Sequence, residues 1–414
     1  MVPRRGLEPP RPFDHWHLKP ARLPIPPPGP KTGGPVRGGR VIGHWTGRVN
    51  ASFEPFCRPG RGRGLLRRCA GTAARLSEGV RACFVRRSGN EGIMQDLVTV
   101  FGGSGFVGSQ IVRALARGGL RVRVAVRRPG LGYRLRMLGD VGQIEVVQAN
   151  IRVPSSVARA LDGAQACINA VGVLYESGRQ GFQSLQAMGA QTIAAACAEQ
   201  GISRFVQISA IGADADSPSK YARTKAAGEV AVKALIPSAM IIRPSIVFGP
   251  EDDFFNRFAA MATIAPALPL IGGGKTLFQP VFVGDVAAAT VAALSDPAQA
   301  GKTFELGGPA VYSFRSLLEL ILRETGRNRL LVPVPWPVAS LIGMAGDLQA
   351  KVLPMAPVLT RDQVLLLKSD NIANPALPGL AALGIEPTAV EAIVPSYLYR
   401  YRKGGQYADL IKPA

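Results

Sequence analysis

Histidine is nearly absent. The 414-residue chain has three, His15, His17 and His44, and all precede Met94. Everything downstream therefore lacks the side chain most used for proton transfer near neutral pH and for zinc ligation. Cysteine is scarce as well. Cys57, Cys69 and Cys83 lie in the same leading stretch, and only Cys167 and Cys197 follow it, in strand-like and helix-like apolar runs. Two separated cysteines in such runs read as core residues rather than a disulfide or a zinc site, which fits a reducing compartment. No metal is expected. No apolar run approaches the roughly 20 residues of a membrane-spanning helix, and no secretory signal precedes the first strand. The protein is expected to be soluble or attached peripherally.

Acids are few, 28 against 49 Lys and Arg, for a formal net charge of +21. The imbalance is concentrated in residues 1–93, which hold eighteen basic and five acidic residues, the run Pro26-Pro27-Pro28 and no sustained apolar period. That composition predicts a disordered basic extension. Three origins compete for it. A nucleic-acid-binding arm would explain the charge but offers only Trp16, Trp45 and a few Phe for stacking. A mitochondrial presequence would be Ser-rich and amphipathic rather than broken by Pro and Gly. The preferred reading is upstream GC-rich DNA read as protein, with the natural start at Met94. No nucleic acid is expected on the folded part.

What is present begins at Leu97-Val98-Thr99-Val100-Phe101, a strand-like run that leads into Gly102, Gly105 and Gly108. Ile111, Val112 and Leu115 then recur at helical spacing until Gly118-Gly119. Strand, glycine turn and helix suit a phosphate: glycines allow close backbone approach, and the helix N-terminus attracts an anion. The next strand, with Val122, Val124 and Val126, ends at Arg127-Arg128-Pro129. Dinucleotide folds place the group that reads the adenosine ribose here, an acid for NAD and arginine for NADP. This chain offers arginine, so NADP(H) is expected ahead of NAD(H).

Further strands are predicted at Ile144–Val147, at Ala166–Gly172, which runs into a small-residue turn, at Arg204–Ser209 and at Met240–Pro244. They alternate with a short helix opened by Pro154 and longer ones over about 180–199 and from Ser219 to about 235. The pattern predicts an α/β fold, a Rossmann-type doubly wound parallel sheet that binds its ligand at the carboxyl ends of the strands. It occupies residues 94–310 together with part of a small substrate lobe. Residues 311–414 are expected to form a C-terminal helical subdomain with a tail of mixed aromatics and basic residues, Tyr397-Leu398-Tyr399-Arg400-Tyr401-Arg402-Lys403. Both that tail and the apolar stretch Trp336–Met344 suit an interfacial or partner-binding role. The alternative is an ordinary helical subdomain with a solvated tail.

Tyr221 and Lys225 are four apart at the start of a predicted helix and share one face. An ammonium beside a phenol favours the phenolate and so makes a usable acid/base. Ser209, at the preceding strand end, could hydrogen-bond the same oxygen.

In order, Gly102-x-x-Gly105-x-x-Gly108, Asn169-Ala170-Val171-Gly172, Tyr221-x-x-x-Lys225 and Arg243-Pro244-Ser245-Ile246-Val247-Phe248-Gly249-Pro250 resemble the extended or atypical branch of the short-chain dehydrogenase/reductase superfamily, the NAD-dependent epimerase/dehydratase-like proteins. Within it, Arg243–Phe258, Gln279–Val286, Leu359–Val364 and Leu377–Leu380 look like the nucleotide-binding accessory subunit of respiratory complex I and its alphaproteobacterial counterparts. The resemblance implies tightly held NADP(H) and complex I subunits as partners. It also implies a place on the inner face of the cytoplasmic membrane, or the matrix side if mitochondrial, and a role in assembly or stability rather than turnover.

Carried over by position, Gly102, Ser104, Gly105, Phe106, Val107 and Gly108 would hold the pyrophosphate, and Arg127 and Arg128 the 2′-phosphate. Asn150 and Ile151 would flank adenine, and Ala170, Val171 and Gly172 the ribose. Tyr221 and Lys225 would meet the nicotinamide ribose, with Pro244, Ser245 and Ile246 against the nicotinamide. Two departures bear on activity. Ala149-Asn150 stands where active relatives show Gly-Asp, and Ala210-Ile211 follows Ser209 where a second Ser or Thr is common. An active NAD(P)H-dependent reductase, epimerase or dehydratase is the alternative function.

Overall fold

Strand β1 (Leu97–Phe101) is buried along its whole length, as a strand covered on both faces must be. The structure, a computed structural model, describes residues 96–178, 180–352, 357 and 359–407. The extension predicted for residues 1–93 and the natural start expected at Met94 both lie outside the described residues. After β1 come α1 (Phe106–Arg117), β2 (Arg121–Val126), β3 (Ile144–Gln148), α2 (Pro154–Leu161), β4 (Ala166–Asn169), α3 (Met188–Glu199) and β5 (Arg204–Ile208). The chain continues through α4 (Lys220–Leu235), β6 (Met240–Pro244), β7 (Val247–Phe248), α5 (Phe254–Ile264), β8 (Ala267–Ile271), β9 (Leu277–Phe278), β10 (Val281–Phe282), α6 (Val283–Ser295) and β11 (Thr303–Leu306).

Seven of these strands form one parallel sheet in the order β3-β2-β1-β4-β5-β6-β11. Strand order reverses between β1 and β4: Val98 of β1 pairs with Val122 of β2 on one side and with Ala166 of β4 on the other. That reversal opens the crevice in which such sheets bind ligands. One face of the sheet buries Ile111, Val112 and Leu115 of α1 with Val286, Ala289 and Ala293 of α6. The other buries Val157 and Leu161 of α2, Ile193 and Cys197 of α3, and Val232 of α4. Cys167 and Cys197 are both buried and free, and are hydrogen-bonded neighbours, β4 against α3. The helix predicted from about residue 180 begins with a π-turn at Gln183–Ala187 before α3.

The small lobe draws on both sides of residue 310. It adds β12 (Tyr312–Ser313), α7 (Phe314–Thr325), β13 (Leu330–Val334), α8 (Trp336–Val352), α9 (Arg361–Leu366), α10 (Val390–Ile393) and α11 (Pro395–Leu398). β13 pairs in parallel with β8, and β12 runs antiparallel to β9. Its core is aromatic. Phe254, Phe258 and Phe314 meet edge to face at 5.1 and 5.6 Å, the arrangement that ring quadrupoles favour.

The two stretches expected to be interfacial part company here. Tyr397 and Leu398 are buried in the lobe, and the Tyr397 hydroxyl donates to Asp252. Helix α8 instead packs through its small residues Ala339, Gly343 and Gly346, while Leu341 is 63% and Leu348 64% exposed. Among the described residues no helix is long and apolar enough to cross a membrane.

Candidate functional site

The glycine turn lies against the end of β4. Gly102 takes φ +77°, and a methyl group on it would sit 2.9 Å from the Ala170 carbonyl carbon and 3.0 Å from the Val171 nitrogen. A methyl on Gly108 would lie 2.2 Å from the Gly102 carbonyl oxygen, so helix and turn touch through bare backbone. Gly105 precedes α1, whose first turn carries neither a side-chain cap nor an acid. The N–H groups of Phe106 and Val107 are thus left for an anion. Ser104 shares a cleft of about 140 Å³ with Arg127, Arg128 and Gln180 at the end of β2. Arg127 donates to Gln180 Oε1 at 3.1 Å.

At the end of β3 the side chains serve the local fold. Asn150 Oδ1 accepts from the Arg152 N–H at 3.2 Å, and Ile151 is buried where a methyl on Gly189 would come within 2.5 Å of its Cδ1. At the end of β4, Asn169 Oδ1 accepts from the Val171 N–H at 3.1 Å while its Nδ2 donates to Gln207 Oε1 at 2.9 Å. Asn169 therefore shapes the turn Ala170–Val171–Gly172, a role the motif alone did not disclose.

Tyr221 and Lys225 come together on the first turns of α4, whose N-cap Ser219 accepts from the Ala222 N–H. The Tyr221 ring stands edge-on to Phe182, centroids 5.7 Å apart. Lys225 is buried beside it and donates to the Ile208 carbonyl at 3.2 Å. A methyl on Gly172 would be 3.5 Å from Lys225 Nζ, which ties the β4 turn to the pair. Burial pulls the Lys225 ammonium down to about 8, against the opposing pull of Glu229 one turn on. Burial, and next the Asp362 carboxylate, push the Tyr221 phenol up to about 12.

Ser209 donates its N–H to the Ile242 carbonyl at 2.7 Å. Its hydroxyl is buried and, among the described residues, without a hydrogen-bond partner. Native folds rarely leave such a group unpaired unless something else is meant to meet it.

The β5 and β6 exits are joined by the Ile211 N–H, which donates to Pro244 O at 3.0 Å. Ser245 does not present its hydroxyl to the crevice. It donates to Asn371, with Oδ1 at 2.6 Å and the carbonyl at 2.9 Å, and the Ile246 N–H reaches the same Oδ1 at 3.0 Å. From the C-terminal segment too, Asp362 accepts from the Ser219 hydroxyl and from the Lys220 and Tyr221 N–H groups. Motif spacing could not reveal these two residues. Only the likeness of Leu359–Val364 to a known subgroup drew attention to Asp362.

The site residues from β1, β2, β4, β5 and β6 all stand at the carboxyl edge of one parallel sheet. A dinucleotide fits that edge: bare backbone for its phosphates, arginines at one end, and at the other a phenol, a buried lysine and an orphaned hydroxyl. When bound, the nicotinamide would supply hydride transfer. The chain's own part would be to orient it, with the Tyr221 phenol as the group able to hold a proton there. Among the described residues no group of three or more His, Cys, Asp or Glu could hold a metal ion.

Residues 98–307 match the sequence profile of the NAD dependent epimerase/dehydratase family. The mitochondrial NADH dehydrogenase (ubiquinone) 1 alpha subcomplex subunit 9 of Arabidopsis thaliana is 36% identical over 327 residues, 77% of this chain and 81% of that protein. The ceramide reductase of Caulobacter vibrioides is 35% identical over 201 residues, 49% of this chain and 62% of that protein. A solved structure, the dTDP-glucose 4,6-dehydratase DesIV from Streptomyces venezuelae with NAD and TYD bound, matches with a TM-score of 0.55 at 20% identity, covering 76% of this chain and 100% of that one. That likeness speaks to the fold alone. The chain belongs to the NAD dependent epimerase/dehydratase family, on the branch that includes the mitochondrial subunit.

Proposed function

We propose that this chain is an NADP(H)-binding accessory or assembly subunit of respiratory complex I. The observation that carries the reading is the reach of the likeness. Its 327 aligned residues extend beyond the 98–307 fold domain. The C-terminal segment is tied to the nucleotide-fold domain by buried acids, Thr388 to Asp285 on α6 and Asn374 to Glu305 on β11, as a structural role requires. NADP(H) rather than NAD(H) is supported by a ribose-end cleft that holds Arg127 and Arg128 and no acid. The exposed apolar face of α8 supports peripheral attachment to the membrane, on the inner face of the cytoplasmic membrane or the matrix side.

The test is mass spectrometry of the natively expressed protein, pulled from detergent-solubilised membranes by a C-terminal tag. Stoichiometric complex I subunits with NADP(H) are expected. A free protein without partners would overturn the reading.

The buried, unpartnered Ser209 hydroxyl, next in sequence to the Ile208 carbonyl that Lys225 meets, favours one alternative, an active NAD(P)H-dependent reductase, epimerase or dehydratase. In that case Tyr221→Phe would abolish a substrate-dependent change in absorbance while nucleotide still bound.

A further inference from the structure

Two walls flank the nicotinamide end of the crevice: the first turn of α4, which carries Tyr221, and the exit of β6 at Pro244–Ile246. Ser219 caps the first, and the Ile211 N–H and the Leu306 carbonyl pair with the second. Both are further tied by the same short stretch of the C-terminal segment. Asp362 accepts from the Lys220 N–H at 2.7 Å, the Tyr221 N–H at 3.1 Å and the Ser219 hydroxyl at 2.8 Å. A carboxylate at a helix N-terminus satisfies donors that the helix cannot pair itself and suits its dipole.

Nine residues on, Asn371 Oδ1 accepts from the Ser245 hydroxyl and the Ile246 N–H. Asn371 is itself fixed, its N–H donating to Leu277 O at 2.8 Å and its carbonyl accepting from the Gln279 N–H at 3.0 Å. The Thr360–Gln363 capping box opens α9 around Asp362, and between Asp362 and Asn371 the Leu367 carbonyl accepts from the Thr276 hydroxyl. The stretch is therefore a brace anchored at both ends.

We propose that Asp362 and Asn371 are positioning residues, which together set the distance and angle between the Tyr221 wall and the Ser245–Ile246 wall for the nicotinamide half of a bound dinucleotide. The proposal rests on the nucleotide-binding reading above. It deepens that reading by making the C-terminal segment part of the nucleotide site, although neither side chain is among the groups assigned to touch the nucleotide. The adenosine half, held at Gly102–Gly108 and Arg127–Arg128, lies on the far side of the strand-order reversal and is not braced by them.

The experiment compares two ligands on the full chain: NADPH, and 2′,5′-ADP, which carries the adenosine and 2′-phosphate but no nicotinamide. Asp362→Asn keeps the size of the side chain and loses the charge, and Asn371→Ala removes the other anchor. Each is expected to weaken NADPH about tenfold, equivalent to about 1.4 kcal/mol, and to leave 2′,5′-ADP within about twofold. Bound NADPH should also shift its fluorescence toward that of the free dinucleotide, a sign of a less enclosed nicotinamide. Equal losses for both ligands, or no loss for either, would overturn the proposal in favour of a purely structural role. Wild-type protein that binds neither ligand would overturn the nucleotide-binding reading itself, an outcome seen before any variant is made.

Discussion

Lys225 Nζ stands 5.9 Å from the centre of the Tyr221 ring, one helical turn away on α4. Both groups are desolvated, and each is held in its neutral form over a wider range than in water. The Lys225 ammonium titrates near 8 in the fold against 10.5 ordinarily, so between those values the unfolded chain binds more protons and stability rises with pH. Tyr221 acts in the opposite sense. Its phenol keeps its proton to about 12 against 10.0 ordinarily, so stability falls between pH 10 and 12. Lys225→Met is therefore expected to stabilise the nucleotide-free protein at pH 7 by on the order of 2 kcal/mol. The gain should shrink as pH approaches 10.5. Urea unfolding at pH 7, 9 and 10.5 checks this, and a gain independent of pH would contradict it.

Arg127→Ala and Arg128→Ala should separate the two nicotinamide dinucleotides. A charge-assisted hydrogen bond to phosphate contributes about 1.5–3 kcal/mol, so NADPH affinity should fall roughly 10- to 100-fold while NADH is little changed. Isothermal titration with both dinucleotides decides it. Equal effects on the two would remove the 2′-phosphate from the role given to this cleft.

At Gly108 the constraint is steric rather than electrostatic. The Cβ of Gly108→Ala would lie 2.2 Å from the Gly102 oxygen, a clash that must open the turn. A loss of at least about 1–3 kcal/mol of stability is expected, along with loss of dinucleotide binding. Gly130→Ala is the control, since its added methyl meets nothing within 4 Å. Thermal unfolding and NADPH titration of the two variants should diverge, and similar behaviour would show that the turn yields cheaply.

The dinucleotide half could be read from sequence because its signals are local. β1 is a continuous apolar run, Val122, Val124 and Val126 alternate, and glycine spacing with helical periodicity marks α1, so each element declares itself within a dozen residues. The C-terminal ties could not be read this way. Asp362 meets Tyr221 across 141 positions and Tyr397 meets Asp252 across 145, and no periodicity connects such partners. The aromatic and basic run from Tyr397 divides between the two roles read for it: Tyr397 and Leu398 enter the lobe core, where the Tyr397 hydroxyl meets Asp252, while Tyr399 and Arg400 stay exposed. Cys167 and Cys197 looked isolated along the chain and are neighbours in space because α3 packs on β4.

Tyr397→Phe tests one of those ties. The Asp252 carboxylate is buried, and burial raises its proton affinity against the lowering effect of the Tyr397 hydroxyl and of several N–H donors. Removing the hydroxyl leaves the N–H groups of Gly249 and Asn256 to carry the charge. A cost of about 1.5–3 kcal/mol is expected, read by urea unfolding with Tyr401→Phe, whose hydroxyl contacts the amide of Asn256, for comparison. If the two variants cost the same, Asp252 does not depend on Tyr397.

Arg243 sits where β6, β11 and α4 converge, between two buried acids. Its guanidinium meets Glu229 at 2.6 Å and Glu305 at 3.3 Å, and both carboxylates have side chains only 8% exposed. Glu305 in turn accepts the Asn374 N–H at 2.9 Å, so the cluster also anchors the C-terminal segment. Arg243→Met would leave two like charges buried without their cation. Such a break typically costs about 3–5 kcal/mol, more than the intact pair contributes. Adding Glu229→Gln and Glu305→Gln to Arg243→Met removes the stranded charges and should restore a large part of that loss. Urea midpoints of the single and triple variants measure the difference. A triple variant no more stable than the single would mean that the packing of the arginine, not its charge, holds this corner together.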